Sequence, residues 1–250
     1  MRRKAHEIDY EIKGADLQYV EVILDPKEVV IAEPGTLMYM QEGIQFDTKL
    51  GDGSEKHSGV IGTLVGLGKR AFSDENLFVT FYTNNSNSRK SVAFAGAYPG
   101  RISAIDLQEI GGKLLCQRGS FLCGAKGVAV EFGFSKKIGF GLFGGEGFVL
   151  QKLSGDGMVF IHAAGGVEEK TLAKDELIYI DTGSLVGFSA DMDFDIKLIK
   201  GFKNIFFGGE DLFLTSIKGP GKVWIQSTPF TRFVGNIVKN VMDSTAPKGR

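Results

Sequence analysis

Cysteine, histidine and proline are scarce in this chain of 250 residues, at two, three and six. Cys116 and Cys123 are separated by seven positions, the spacing of neither a metal knuckle nor a redox pair. Both sit in apolar, strand-like surroundings and read as buried free thiols. His6, His57 and His162 fall in a tail, an insertion and a strand end, so no group of histidines with an acid is in place to hold iron or zinc. No apolar run reaches 18 residues, and no helix is expected to span a membrane. The basic start, Met1 to Lys4, lacks the apolar core of a secretory signal. Excess charge is missing too. Twenty-nine Lys and Arg against 30 Asp and Glu leave a formal charge of -1, which argues against nucleic-acid binding by bulk charge. A cytoplasmic location is the default expectation.

What is present is apolar bulk and glycine. Hydrophobic residues make up 43% of the chain and aromatics 11%, enough for a sizeable core. Glycine, at 35 residues, is about twice as frequent as usual, which points to many tight turns. The chain also repeats itself. Phe143 to Ile161, moved forward by 64, lies on Phe207 to Ile225 with nine of 19 positions identical. The same shift carries Gly119-Ser120-Phe121 onto Gly183-Ser184-Leu185, and a shift of 84 carries Gly35-Thr36-Leu37 onto Gly119-Ser120-Phe121. This alignment groups Phe46 with Val130 and Phe194, Glu75 with Glu146 and Glu210, and Phe94 with Phe160 and Trp224.

Each copy reads as strands, with Leu77 to Tyr82, Phe148 to Leu150 and Leu212 to Leu214 rich in β-formers. Gly155-Asp156-Gly157 and Gly219-Pro220-Gly221 suit hairpin turns, and Pro34-Gly35 suits a type II turn that Arg118-Gly119 and Thr182-Gly183 repeat. One helix is expected, at the end. Thr228 caps it, Pro229 takes its first position, and Phe233, Val234, Ile237, Val238 and Val241 share a face that packs on the same protein or a neighbouring subunit.

Several of these residues resemble one family. Leu24-Asp25-Pro26-Lys27-Glu28-Val29 leads to Glu33-Pro34-Gly35-Thr36-Leu37. The Gly-Gly-Glu turns follow, and then the ending Gly219-Pro220-Gly221-Lys222-Val223-Trp224-Ile225-Gln226-Ser227. Together, from about Tyr10 to the terminal helix, they resemble the family of the altered-inheritance-of-mitochondria protein number twenty-four. The resemblance implies an all-β fold of three tandem double-stranded β-helix-like units, like the trp RNA-binding attenuation protein, about a pseudo-threefold axis. It implies homotrimers for bacterial members and, for eukaryotic ones, support of mitochondrial inner-membrane organisation. No catalytic residues come with it. The expected division is a first unit over 1–100, a second over 101–166, a third over 167–230, and the helix and tail over 231–250.

The remaining motifs carry little chemistry. Gly139-Phe140-Gly141-Leu142-Phe143-Gly144 matches a dinucleotide fingerprint in letters, but a hairpin follows where a helix is needed. Thr36, Ser120 and Ser184 are expected to bond local backbone, since no general base keeps a fixed relation to them. Glu75, Glu146 and Glu210 read as solvated strand starts. His162 is expected at a solvated or hydrogen-bonded strand end. The Gly- and Phe-rich connectors before the glutamates are flanked by Lys69, Arg70, Lys136, Lys137, Lys200 and Lys203. They make Phe140, Phe143, Phe206 and Phe207 the candidate interface residues, facing core or subunit, an anionic membrane surface, or a groove. The expectation is a non-enzymatic trimeric scaffold with no cofactor and no metal. Its partner would be a protein or a membrane surface, and an RNA- or ligand-binding module stands as the alternative.

Overall fold

The computed structural model describes residues 4–50, 78–136, 148–199 and 212–245. Over them the protein is nearly all strand, with one helix. A leading strand, β1 (Asp9–Lys13), is followed by β2 (Tyr19–Leu24), β3 (Val29–Ala32), β4 (Leu37–Met40), β5 (Ile44–Leu50), β6 (Phe78–Asn84) and β7 (Lys90–Ala95). Next come β8 (Gly100–Asp106), β9 (Lys113–Gln117), β10 (Phe121–Ala125), β11 (Ala129–Lys136), β12 (Phe148–Ser154) and β13 (Met158–Ala164). The last six are β14 (Val167–Leu172), β15 (Leu177–Asp181), β16 (Leu185–Ser189), β17 (Asp193–Ile199), β18 (Leu212–Lys218) and β19 (Gly221–Gln226), followed by helix α1 (Phe230–Thr245).

Four antiparallel sheets result, ordered β1-β2-β7-β4, β5-β6-β3-β10-β13-β8, β11-β12-β9-β16-β19-β14 and β15-β18-β17. One pairing order occurs three times. β2-β7-β4 matches β8-β13-β10 and β14-β19-β16, and β3-β6-β5 matches β9-β12-β11 and β15-β18-β17. Where one group of six meets the next, strands pair across: β3 with β10, and β9 with β16. Phe46, Val130 and Phe194, matched in sequence, lie opposite Tyr82, Leu153 and Ile217.

Three cores fill the gaps between consecutive sheets. Val20, Val22, Leu24, Val92 and Phe94 meet Val30, Ala32 and Tyr82 between the first two sheets. The second core joins Ile31, Phe121, Val159 and Ile161 to Leu114, Cys116, Val130, Leu153 and Trp224. In the third, Leu150, Leu185, Phe188 and Val223 meet Ile180, Ile196 and Ile217. Strand periodicity explains the partition. In β2, Tyr-Val-Glu-Val-Ile-Leu alternates half-buried and buried positions, so one face supplies the core. The two middle sheets face a core on each side, hence runs such as Val-Val-Ile-Ala in β3 that are buried throughout.

The structure corrects three local expectations. A bulge divides Leu37 from Tyr39, Phe121 from Cys123, and Leu185 from Gly187. Across the strand before each bulge lie Phe94, Ile161 and Ile225, so Phe94 is one position out of step with Phe160 and Trp224. Side-chain size misled the alignment, because Ala93 occupies the position of the two large aromatics. Gly35 and Gly119 take φ of 91° and 82°, which glycine adopts without steric cost. The third turn, Thr182–Ser184, is instead a short 3-10 turn. Finally, Phe233 N donates to Pro229 O at 3.1 Å, so Pro229 caps α1 and Thr228 lies one residue outside it.

Candidate functional site

Phe140, Phe143, Phe206 and Phe207 lie outside the described residues, as do Glu75, Glu146, Glu210 and the insertion from Gly59 to Phe72. The turn hydroxyls divide. Thr36 Oγ1 donates to its local carbonyl Glu33 O at 2.8 Å, as expected, and also reaches Leu122 O at 3.2 Å. Ser184 Oγ donates to the Asp181 carboxylate at 3.2 Å. Both cysteines are buried free thiols, and burial pushes each thiol up from its ordinary range. Among the described residues no three His, Cys, Asp or Glu side chains converge as metal ligands.

His162 departs from expectation. It is 1% exposed rather than solvated, and its ring lies 4.7 Å from that of Tyr98. Its main-chain N donates to Ser120 O at 2.7 Å, while Nδ1 has no partner among the described residues. Burial pushes its pKa down to about 4. Gln226, 64 positions on, is fully bonded: Oε1 accepts from Ala164 N and Nε2 donates to Gly183 O, each at 2.8 Å.

Polar side chains also tie successive strand groups together. Gln151 Nε2 donates to Glu33 Oε2 at 3.2 Å, and Gln117 Nε2 donates to Thr182 O at 2.9 Å. Burial pushes the Glu33 carboxyl up, against the Gln151 bond and the attraction of Arg118. Asp181 follows Gln117 by 64 as Gln117 follows Glu33 by 84, and its carboxylate accepts from Arg232 of α1 at 2.7 Å.

Exposed apolar side chains mark two of the sheet edges, β4 and β15. Among the described residues, β4 and β15 each pair on one side only. Yet their counterparts β10, β16, β3 and β9 are all paired on both sides. Ile31 and Leu115 of β3 and β9 are 0% and 8% exposed, whereas Tyr179, the matching residue of β15, is 61% exposed. Leu122 and Val186 of β10 and β16 are 1% and 0% exposed, whereas Met38 of β4 is 54% exposed. Leu37, Tyr39 and Leu177 are exposed on the same two strands.

A sheet edge that is to stay alone usually carries charge. β14 does, with Glu168, Glu169 and Lys170 exposed and Lys222 Nζ 2.6 Å from Glu169. β4 and β15 instead carry apolar and aromatic side chains, which suit them to addition of a further strand. The outer face beside β4 is anchored by the Tyr39 hydroxyl, which donates to Glu21 at 2.6 Å, with Lys13 on the same carboxylate. That bond pushes the Tyr39 pKa up to about 12.

The family model described as mitochondrial biogenesis AIM24 matches residues 10–228. The chain belongs to the AIM24 family. An uncharacterized protein of Streptococcus pyogenes serotype M6 is 30% identical over 230 residues, covering 90% of this chain and 88% of that one. The X-ray crystal structure of another Streptococcus pyogenes protein superposes with a TM-score of 0.70. It covers 94% of this chain and all of that one, and at 24% identity the likeness concerns the fold. In this AIM24 chain no helix among the described residues is long and apolar enough to cross a membrane.

Proposed function

We propose that the protein is a non-enzymatic scaffold made of three like six-strand units, and that it assembles head to tail into a homotrimer. In this reading β15 of one copy pairs with β4 of the next. The supporting observation is that the same strand positions are buried at two junctions inside the chain and exposed at its two ends. The internal junctions set the register. Cys123 lies opposite Ala32 and Gly187 opposite Cys116, Gly124 opposite Ile31 and Phe188 opposite Leu115. The equivalent pairs between copies are Tyr39 with Ile180 and Met40 with Tyr179.

Such a contact is heterologous, so it closes into a ring or runs on as a filament depending on the rotation per copy. Light scattering tests the closed form: the mass should be about three times the chain's 27.1 kDa. Tyr179→Asp, which sets a charge on the joining edge, should reduce it to that of a single chain. A wild type that scatters as a monomer at micromolar concentration overturns the proposal. The membrane-surface contact expected of Phe140, Phe143, Phe206 and Phe207 falls on residues outside the described set. No observation on the described residues favours it, or RNA binding, over self-assembly.

A further inference from the structure

Helix α1 does not turn its apolar stripe toward the described body of its own chain. Phe233, Ile237, Val238 and Val241 recur at helical spacing, and all four are exposed. The body is met on another side, where Arg232 bonds Asp181 at the end of β15. The helix is thus fastened beside β15, whose outer edge is unpaired among the described residues, while its apolar side points outward.

The place where the chain passes into α1 identifies what the stripe meets. Val20, Ser103 and Glu168 are equivalent, lying opposite Phe94, Ile161 and Ile225 in their sheets. Three residues before each stand Leu17, Gly100 and Gly165, the starts of the three units. These starts touch in series. Gln18 N donates to Gly100 O at 2.9 Å, Gly100 bridges Gly165, and Gly165 N donates to Pro99 O at 3.1 Å. In a head-to-tail assembly the next member of the series, beside Gly165, is Leu17 of the following copy. That same place is where α1 departs. Thr228 packs on Gly165 and its N donates to Ala164 O at 3.3 Å, with Pro229 and the helix directly after. Leu17, at the tip of the hairpin between β1 and β2, is 66% exposed.

We infer that α1 is an intermolecular clasp whose apolar stripe docks on the β1–β2 hairpin of the next copy, around Leu17. The inference rests on the head-to-tail reading above and adds a second element to the contact. A single pairing of strands four and five residues long is small beside the roughly 1,200 Å² that a specific interface usually buries. The helix supplies additional apolar area where the edge ends.

The test uses the full chain in two forms. Mixed Leu17→Cys and Phe233→Cys chains should form an interchain disulfide under mild oxidation, and neither chain should do so alone. A Phe233→Ser, Ile237→Ser, Val241→Ser variant should need about a hundredfold higher concentration to hold the trimer mass, with the thermal unfolding of the dissociated chain unchanged. The inference alone is overturned if Met40→Cys and Tyr179→Cys chains cross-link while the Leu17 and Phe233 pair does not and the triple variant keeps its mass. It is equally overturned if the triple variant keeps its mass but loses flotation with phosphatidylserine-containing vesicles, since the stripe then serves a lipid surface. A wild-type monomer with no cross-link at either pair removes the head-to-tail reading and the clasp together.

Discussion

The two junctions inside the chain and the two strands at its ends are built from matching positions and end in opposite states. Inside, β3–β10 and β9–β16 bury apolar side chains on both faces of a continuous sheet. At the ends, β4 and β15 present the same kinds of side chain to solvent. Local sequence preference is similar at both. Burial therefore follows from whether a neighbouring strand and a facing sheet are present, and among the described residues two of the three like surfaces have them.

Substitutions can break that comparison, and the largest effect belongs inside. Ile31→Asp places an unpaired charge between two sheets and should cost more than about 4 kcal/mol, enough to unfold the chain in a thermal melt. Its counterpart Tyr179→Asp should change the unfolding of the single chain by about 0.5 kcal/mol or less while abolishing assembly. Leu122→Ala should cost about 3 kcal/mol in denaturant unfolding, and Met38→Ala close to nothing when measured on the dissociated chain. If Met38→Ala were as costly as Leu122→Ala in a dissociated chain, the two regions would not differ in the way described.

A pH series sharpens the comparison between matching strand positions. The folded pKa of His162 lies near 4, below its ordinary value of 6.5, because burial disfavours the charged ring. The unfolded chain therefore binds the proton first. Stability is whole above pH 6.5 and falls by up to about 3 kcal/mol as the pH drops from there to about 4. His162→Gln, the residue its counterpart Gln226 already carries, should flatten that dependence in melts between pH 4 and 7. A small effect is expected at the charged edge as well. Lys222→Ala removes an exposed ion pair with Glu169, should cost about 0.5 kcal/mol or less, and should leave the assembly mass unchanged.

Much of the fold was legible in the residues. Alternation in β2 and the glycine turns at Gly35 and Gly119 mark strands and their ends, and the shifts of 84 and 64 align Phe46, Val130 and Phe194 as the sheets do. The slip at Phe94 arose because letters report side-chain size while register is set by backbone pairing across a bulge. His162 was misjudged for a related reason: one polar letter near a strand end does not disclose the connection between β7 and β8 that packs over its ring through Tyr98. The free edges carried no legible signal of their own. Met38 and Tyr179 are ordinary strand residues, and only the pairing order shows that each lacks, among the described residues, the neighbour its counterparts have. The stripe of α1 was visible as periodicity, whereas its outward direction shows only in the exposure of Phe233, Ile237, Val238 and Val241.

The central claim is that β15 of one copy pairs with β4 of another, and a disulfide across that pairing tests it directly. Directly opposed residues in an antiparallel pair bring Cα atoms about 4.5–5.5 Å apart, within disulfide reach. The native thiols of Cys116 and Cys123 are buried and protonated, so they do not compete. Chains carrying Met40→Cys alone and Tyr179→Cys alone, mixed and oxidised, should give a covalent dimer that neither gives by itself. A chain carrying both substitutions that closes only on itself, with no cross-link between chains in the mixture, would contradict the account.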